Sequence, residues 1–341
     1  MRKVKTSVFV ALTLSFVAAG ALAAQPAIPS ENYAHPQRLI AIDGNRRINL
    51  FCLGQGAPTV LFDSGLGDTT ASWRYVQGEV AKTMTACSYD RAGYGFSDPP
   101  PGASDVNANV RDIHLLLKAM GTDGPIVYVG HSSAGLYGVG LQGKYPDDVA
   151  AEVLVDPSYA DMGRWMAPPD TTDQLPPPWA PLEACLALAK SGELQEPKTD
   201  AAKACVRENR SLDDVLRRTD KLQQANPVTI STKISEIQSI TPSAPSWISV
   251  NTAQIDALNP QFGDKPLIIL THGSMPAMPG QTPDQHKRGE DNWLTAHARL
   301  AALSTRGSHV VVPDSRHYIQ INQPKAVIDA IEKAVADVRA K

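Results

Sequence analysis

Long apolar runs are scarce in this chain of 341 residues. Only residues 8–19 form an extended apolar stretch, and it is too short for a comfortable bilayer span. A large excess of one charge sign is also lacking, because the 32 Lys and Arg residues nearly balance the 35 Asp and Glu residues, for a net charge of −3. This mildly acidic balance argues against nucleic acid or an anionic membrane as the main partner. The sequence contains no internal repeat, metal-ligand cluster or phosphate-binding loop, so no metal or other cofactor is expected.

The N-terminal segment has the pattern of an export signal. Arg2, Lys3 and Lys5 precede the apolar stretch, and Ala-Leu-Ala at residues 21–23 is a small-x-small cleavage site. A signal peptide is therefore predicted over residues 1–23, and its removal would take the net charge from −3 to −6. No cysteine follows the cleavage site to accept a lipid. We expect a secreted or periplasmic protein without a stable membrane anchor.

Cysteine is rare, and the four present are Cys52, Cys87, Cys185 and Cys205. In an exported chain four cysteines indicate two disulfides, with three possible connectivities. Free buried thiols are the alternative interpretation.

Hydrophobic periodicity alternates between strand and helix patterns. Residues 38–42 and 48–53 predict a hairpin across Asp43-Gly44-Asn45. Short apolar strands are predicted at 58–62, 85–89, 126–129, 151–155, 266–270 and 310–312. Helical spacing is found at 106–120, 135–143 and 324–338. This alternation predicts an α/β fold.

The pattern changes between residues 158 and 263. Prolines cluster at 168–181, and charged helical segments follow at 200–207 and 211–224. This composition predicts a helical cap (158–263) inserted between two parts of the core (24–157 and 264–341), with a disordered linker as the alternative.

The most informative motif is Gly-His-Ser-Ser-Ala-Gly at residues 130–135, directly after an apolar strand. A serine that projects from a strained strand-to-helix turn needs small residues two before and two after it. Gly130 and Ala134 satisfy this rule around Ser132. Ser133 is the weaker candidate, because the bulky His131 lies two residues before it. Ser132 is therefore the predicted nucleophile, and an ordinary Gly- and Ser-rich turn is the alternative.

Together with this turn, three further segments resemble the α/β-hydrolase superfamily: Ser-Gly-Leu-Gly at 64–67, Cys-Ser-Tyr-Asp-Arg-Ala-Gly-Tyr-Gly at 87–95 and Arg-His-Tyr-Ile-Gln-Ile-Asn-Gln-Pro at 316–324. The resemblance covers residues 38–158 and 266–341. It implies an eight-stranded, mostly parallel sheet in the order 1-2-4-3-5-6-7-8, with the cap between strands 6 and 7. In that order the strands of Cys52 and Cys87 are neighbours, which implies the pairs Cys52–Cys87 and Cys185–Cys205.

The resemblance also implies a base and an acid for Ser132, since serine alone is a weak nucleophile. His317 stands where the superfamily carries its catalytic histidine. Most relatives place the acid just beyond the seventh strand, but residues 271–276 contain no carboxylate. Asp156, at the end of the sixth strand, is therefore the predicted acid, because a strand end fixes geometry better than a long loop. Asp284 and Asp291 are the alternatives.

The same resemblance assigns an oxyanion hole to the backbone N–H groups of Leu66 and Ser133. Four further residues are expected to contact substrate: Ser64, Gly65, His272 and Trp165. Trp165 belongs to the cap, where packing within the cap is the alternative role for an apolar side chain.

A serine nucleophile favours hydrolysis of an ester, thioester, lactone or amide. It argues against epoxide and haloalkane hydrolysis, for which this superfamily uses aspartate. The expected partner is a small- to medium-sized ester-like molecule. A carbon–carbon bond hydrolase or lyase, and a non-catalytic binding protein, are the alternatives.

Overall fold

The computed structural model describes residues 28–340 except 123, 161, 163–176, 243–247 and 278–279. The predicted signal peptide at 1–23, and Trp165 of the cap, lie outside the described residues. Within the described residues, no helix has both the length and the apolar character needed to span a bilayer.

Eight strands form a single sheet in the order β1-β2-β4-β3-β5-β6-β7-β8. The strands are β1 (Arg38–Asp43), β2 (Arg46–Leu53), β3 (Val60–Asp63), β4 (Ala86–Tyr89), β5 (Ile126–His131), β6 (Val149–Val155), β7 (Leu267–His272) and β8 (Gly307–Val312). β2 is antiparallel to β1 and β4, and the other pairings are parallel. The predicted order and the predicted hairpin are confirmed.

Helices cover both faces of the sheet. Within the described residues they are α1 (Gln77–Val80), α2 (Val106–Met120), α3 (Ala134–Lys144), α4 (Ala180–Lys190), α5 (Asp200–Cys205), α6 (Asp214–Gln224), α7 (Pro227–Ile240), α8 (Val250–Leu258), α9 (Pro283–Ala301), α10 (Ile319–Asn322) and α11 (Pro324–Arg339). Along β3, Leu61 packs in the cluster that includes α2 and α3, whereas Val60 and Phe62 pack in the cluster that includes α11. Because both faces are covered, the central strands are apolar throughout.

Helix α9 was not predicted from the sequence. Its exposed face is rich in charged residues, which hid the helical periodicity. A signal was nevertheless present, since Thr282 and Gln285 form a capping box at its start. This helix matters for function because it packs against β7 and β8 at the edge of the site.

Among the described residues, five helices, α4–α8, lie between β6 and β7, as expected for an inserted cap. Helix α7 docks on the core through small polar residues: Thr229 donates to the backbone oxygen of Gly93 (3.2 Å), and Ser235 Oγ accepts from the backbone N of Ser104 (2.9 Å). Helix α8 packs against α2 and α3 of the core. We therefore retain 158–263 as the proposed limits of the insertion, although its last helix adds to the core layer.

Both predicted disulfides are present, Cys52–Cys87 between β2 and β4 and Cys185–Cys205 within the cap. Disulfides persist in oxidising compartments, so these two are consistent with an extracellular or periplasmic protein.

Candidate active site

The turn after β5 holds Ser132 in a left-handed backbone conformation, with φ of 54°. A non-glycine residue adopts this region only where its surroundings enforce it. Here the backbone N of Ser132 donates to Val155 O, and its carbonyl accepts from the backbone N of Gly135 (2.9 Å) and of Ser158 (2.8 Å). A Cβ at Gly130 would lie 2.9 Å from the backbone of α3. The small residue at that position therefore allows the tight turn.

A continuous chain of hydrogen bonds runs from Ser132 into the core. Nε2 of His317 lies 2.9 Å from Oγ of Ser132, and Nδ1 of the same ring lies 2.6 Å from Oδ2 of Asp156. His317 is positioned in turn by His131, whose Nε2 donates to the His317 backbone oxygen (3.0 Å). Burial, with a smaller contribution from His317, lowers the pKa of His131 to about 3, so that ring is a neutral support.

Asp156 is buried at the end of β6 and receives four hydrogen bonds. Besides His317, Nε1 of Trp293 donates to it (2.9 Å), as do Nδ1 of His272 (2.8 Å) and the His272 backbone N (3.2 Å). Burial opposes a charge on this carboxyl, but the hydrogen bonds from His272 and His317 lower its pKa well below the usual value. Asp156 is therefore a fixed carboxylate behind the His317 ring.

His272 lies beside the candidate triad, in contact with Asp156. Its side chain is buried, with Nδ1 on Asp156 and Nε2 facing the Glu290 carboxylate at 3.3 Å. Both ring nitrogens thus have partners within the protein. Burial opposes a charge on His272, but Asp156 and Glu290 outweigh it and raise the pKa of this histidine.

Replacing Glu290 with glutamine should weaken this arrangement in a pH-dependent way. Because the folded pKa of His272 lies above its unfolded value of about 6.5, its charge stabilises the fold fully below pH about 6.5, and this contribution is lost as the pH rises through the folded pKa. We expect Glu290→Gln to lower Tm by about 2 °C at pH 6 and to leave it unchanged at pH 9. Thermal unfolding at both pH values measures this, with Glu332→Gln on the exposed face of α11 as the control. Equal losses at both pH values would show that Glu290 acts without His272.

The two alternative candidates for the acid, Asp284 and Asp291, lie on the surface of α9. Asp284 is exposed in the first turn of α9, and Asp291 pairs with Lys287 on the surface of that helix (2.6 Å). The alternative nucleophile is separated from the base as well, since the buried Oγ of Ser133 has no hydrogen-bond partner among the described residues.

The loop after β3 lies against the nucleophile. A Cβ built on Gly65 would lie 2.9 Å from Nδ1 of His131 and 3.2 Å from Cβ of Ser132, so a side chain here would force a neighbour to move. No acceptor within the described residues takes up the backbone N–H of Leu66 or that of Ser133. The Ser64 side chain was expected to contact substrate, but it is buried and bonded to Thr69 O and to Ser72 Oγ.

A cavity of about 520 Å³ lies between this loop and the cap. Leu66 and Tyr318 form part of its core wall, and the Cys185–Cys205 disulfide forms part of its cap wall. Trp179 packs against the cap's own apolar cluster. The charged residues lining the cavity are Asp68, Arg207, Glu208, Asp220 and Lys233.

The sequence profile of the Alpha/beta hydrolase family matches residues 60–330. This chain belongs to the α/β-hydrolase family. A thermophilic esterase of Thermogutta terrifontis superposes with a TM-score of 0.56 at 20% identity, over 88% of this chain and 97% of that one. This α/β hydrolase is also 44% identical over 105 residues to Lipase LipV of Mycobacterium tuberculosis, covering 31% of this chain and 39% of that protein.

Another relative of this α/β hydrolase is the uncharacterized protein YqjL of Bacillus subtilis. The two chains are 27% identical over 121 residues, which cover 34% of this chain and 46% of YqjL. The match thus spans less than half the length of YqjL, and the same holds for LipV.

Two residues of this α/β hydrolase's site were missed by the sequence analysis, Glu290 and Trp293. Both lie on α9, the helix that was not predicted, and Trp293 reaches Asp156 across 137 residues of sequence. Among the described residues, no three His, Cys, Asp or Glu side chains are grouped as metal ligands.

Proposed function

We propose that this protein is a serine hydrolase that cleaves carboxylic esters through an acyl-enzyme intermediate, with Ser132 as nucleophile, His317 as general base and Asp156 as the acid that orients it. One observation carries the proposal: the His317 ring bridges Oγ of Ser132 and the carboxylate of Asp156 at 2.9 and 2.6 Å. The α/β-hydrolase family and its esterase and lipase relatives support a hydrolase.

In the proposed first step, Oγ of Ser132 attacks the ester carbonyl while Nε2 of His317 takes the hydroxyl proton. Collapse of the tetrahedral intermediate breaks the bond to the alcohol, and His317 returns the proton to the leaving oxygen. Water then repeats the sequence on the acyl-enzyme, which releases the carboxylic acid and restores Ser132. Throughout, the charge of Asp156 stabilises the imidazolium form of His317.

The negative charge of each tetrahedral intermediate needs preorganised donors. The backbone N–H groups of Leu66 and Ser133 are the proposed pair. Ser133 stands at the N-terminus of α3, where the helix dipole favours negative charge. Its N–H, like that of Leu66, has no acceptor among the described residues.

The cavity is the proposed substrate pocket because Leu66 and Tyr318, beside the triad, line it, although Ser132 and His317 do not. Its lining supports a polar substrate. Five charged side chains line a volume of about 520 Å³, which suits a small- to medium-sized molecule and disfavours a long apolar acyl chain. We therefore propose short or hydroxylated esters and lactones as the substrate class.

The test is hydrolysis of p-nitrophenyl esters of increasing chain length, with rapid acid quenching for mass spectrometry. The proposal predicts turnover that falls with chain length, and a protein mass increased by one acyl group during turnover. A folded protein that hydrolyses no ester of the series would contradict it.

A further inference from the structure

Arg91, in the loop after β4, is the centre of a buried ionic cluster. Its side chain is 3% exposed and pairs with Asp63 at 2.8 Å and with Glu236 at 3.1 Å. The same guanidinium donates to the backbone oxygens of Ser64 and Gly65. Arginine suits such a position because its planar fork presents several donors at once. The cluster therefore ties two carboxylates to the loop that faces Ser132.

The contact with Gly65 fixes the direction of the next backbone N–H. The Gly65 carbonyl accepts from Nη2 of Arg91 (3.1 Å) and from the backbone N of Asp68 (3.1 Å). The one cis peptide among the described residues is Ala57–Pro58, so the peptide from Gly65 to Leu66 is trans. In a trans peptide the C=O and N–H point in opposite directions. The Leu66 N–H therefore points away from Arg91.

The positive charge of Arg91 also polarises this peptide. A cation on the carbonyl oxygen draws electron density from the nitrogen and makes the N–H a stronger donor, as in cooperative hydrogen-bond chains. Arg91 thus acts on both the direction and the strength of one backbone donor.

Glu236 brings the cap into the same cluster. It belongs to α7 and is 1% exposed, and Nε and Nη2 of Arg91 both donate to it. Helix α7 lies close enough that a Cβ on Gly93, two residues after Arg91, would meet Oγ1 of Thr232 at 2.1 Å. The position of Arg91 is therefore set from the core by Asp63 and from the cap by Glu236.

We propose that Arg91 is a positioning residue for the oxyanion hole and that Glu236 couples the docking of cap helix α7 to it, through the chain Glu236, Arg91, Gly65 carbonyl and Leu66 N–H. This inference rests on the proposed serine-hydrolase function and adds a dependence of catalysis on the cap. Neither residue touches substrate in this scheme. Their effect reaches the reaction through the Leu66 N–H.

The test compares Glu236→Gln and Arg91→Lys with wild type. Glu236→Gln removes one charge but leaves Arg91 paired with Asp63, so no bare buried charge results. Lysine at position 91 keeps the charge but cannot hold both loop carbonyls and both carboxylates. Ser235→Ala is the matched control, because it removes a neighbouring hydrogen bond between α7 and the core without touching Arg91.

Three quantities are measured on the full-length mature protein: kcat, KM, and the inhibition constant of a trifluoromethyl ketone, which forms a tetrahedral adduct. Loss of one oxyanion donor typically lowers kcat by about 10²–10³-fold. We expect about 100-fold for Arg91→Lys and about tenfold for Glu236→Gln, with KM changed less than about twofold. The inhibition constant of the ketone should rise by a similar factor, since its tetrahedral adduct uses the same backbone N–H donors. Ser235→Ala should change each quantity less than about twofold.

A purely structural role predicts a different result. If Glu236→Gln folds and lowers kcat no more than Ser235→Ala, or if ketone affinity is unchanged, the inference is overturned. This comparison remains decisive if Arg91→Lys does not fold. A folded wild-type protein that neither hydrolyses esters nor binds the ketone overturns the proposed function, and the inference with it. An active wild type with unaffected variants overturns the inference alone.

Discussion

Replacing Ser132 with alanine is expected to lower kcat for ester hydrolysis by about 10⁶-fold, because removing the nucleophile of such a triad costs about that much. The fold should be retained, since the left-handed turn at Ser132 is held by backbone hydrogen bonds that alanine keeps. Steady-state kinetics with a p-nitrophenyl ester, together with thermal unfolding, measure both effects.

Ser133→Ala separates the two adjacent serines. It is expected to lose far less activity, because only the Ser133 backbone N–H has a proposed role and alanine preserves it. If Ser133→Ala were the inactive variant and Ser132→Ala the active one, the assignment of the nucleophile would be reversed.

Replacing Asp156 with asparagine is expected to lower kcat by about 10⁴-fold, since an amide in this position favours the wrong tautomer of the base. KM should change little, because Asp156 is buried behind His317 and does not face the cavity. The pH dependence of kcat, measured for wild type and variant, reports the loss of the orienting carboxylate.

Asp291→Asn is the matched control for this change. Asp291 pairs with Lys287 on the surface, so its variant should keep nearly full activity. Activity lost in Asp291→Asn and kept in Asp156→Asn would instead assign the acid to Asp291 on α9.

The fold could be predicted from the sequence because its signals are local. The apolar strands, the Asp43-Gly44 turn and the helical spacing at residues 106–120 each lie within one short segment. The strand order and both disulfides came from motifs that resemble one family. Helix α9 escaped prediction because its surface charges mask its apolar face. The contacts of Trp293 and Glu290, which lie on this helix, were therefore not predicted either.

The site was predictable only in part, for the same physical reason. Ser132 follows from a local steric rule, and Asp156 from the missing carboxylate after β7. In contrast, the contacts of His272 with Asp156 and of Arg91 with Glu236 join residues 116 and 145 positions apart. The first pairing depends on the alignment of the neighbouring ends of β6 and β7, and the second on the docking of the cap, and no short sequence pattern encodes either. The charged cavity is likewise a product of how α4–α7 face the loop after β3.

Activation of Ser132 is the central claim, and covalent labelling with a fluorophosphonate probe tests it most directly. Intact-mass and peptide analysis of the purified protein should show one equivalent of probe on Ser132, formed rapidly and absent from Ser132→Ala. Folded protein that stays unlabelled, or label carried on another residue, would contradict the hydrolase mechanism and favour a protein that binds its ligand without cleaving it.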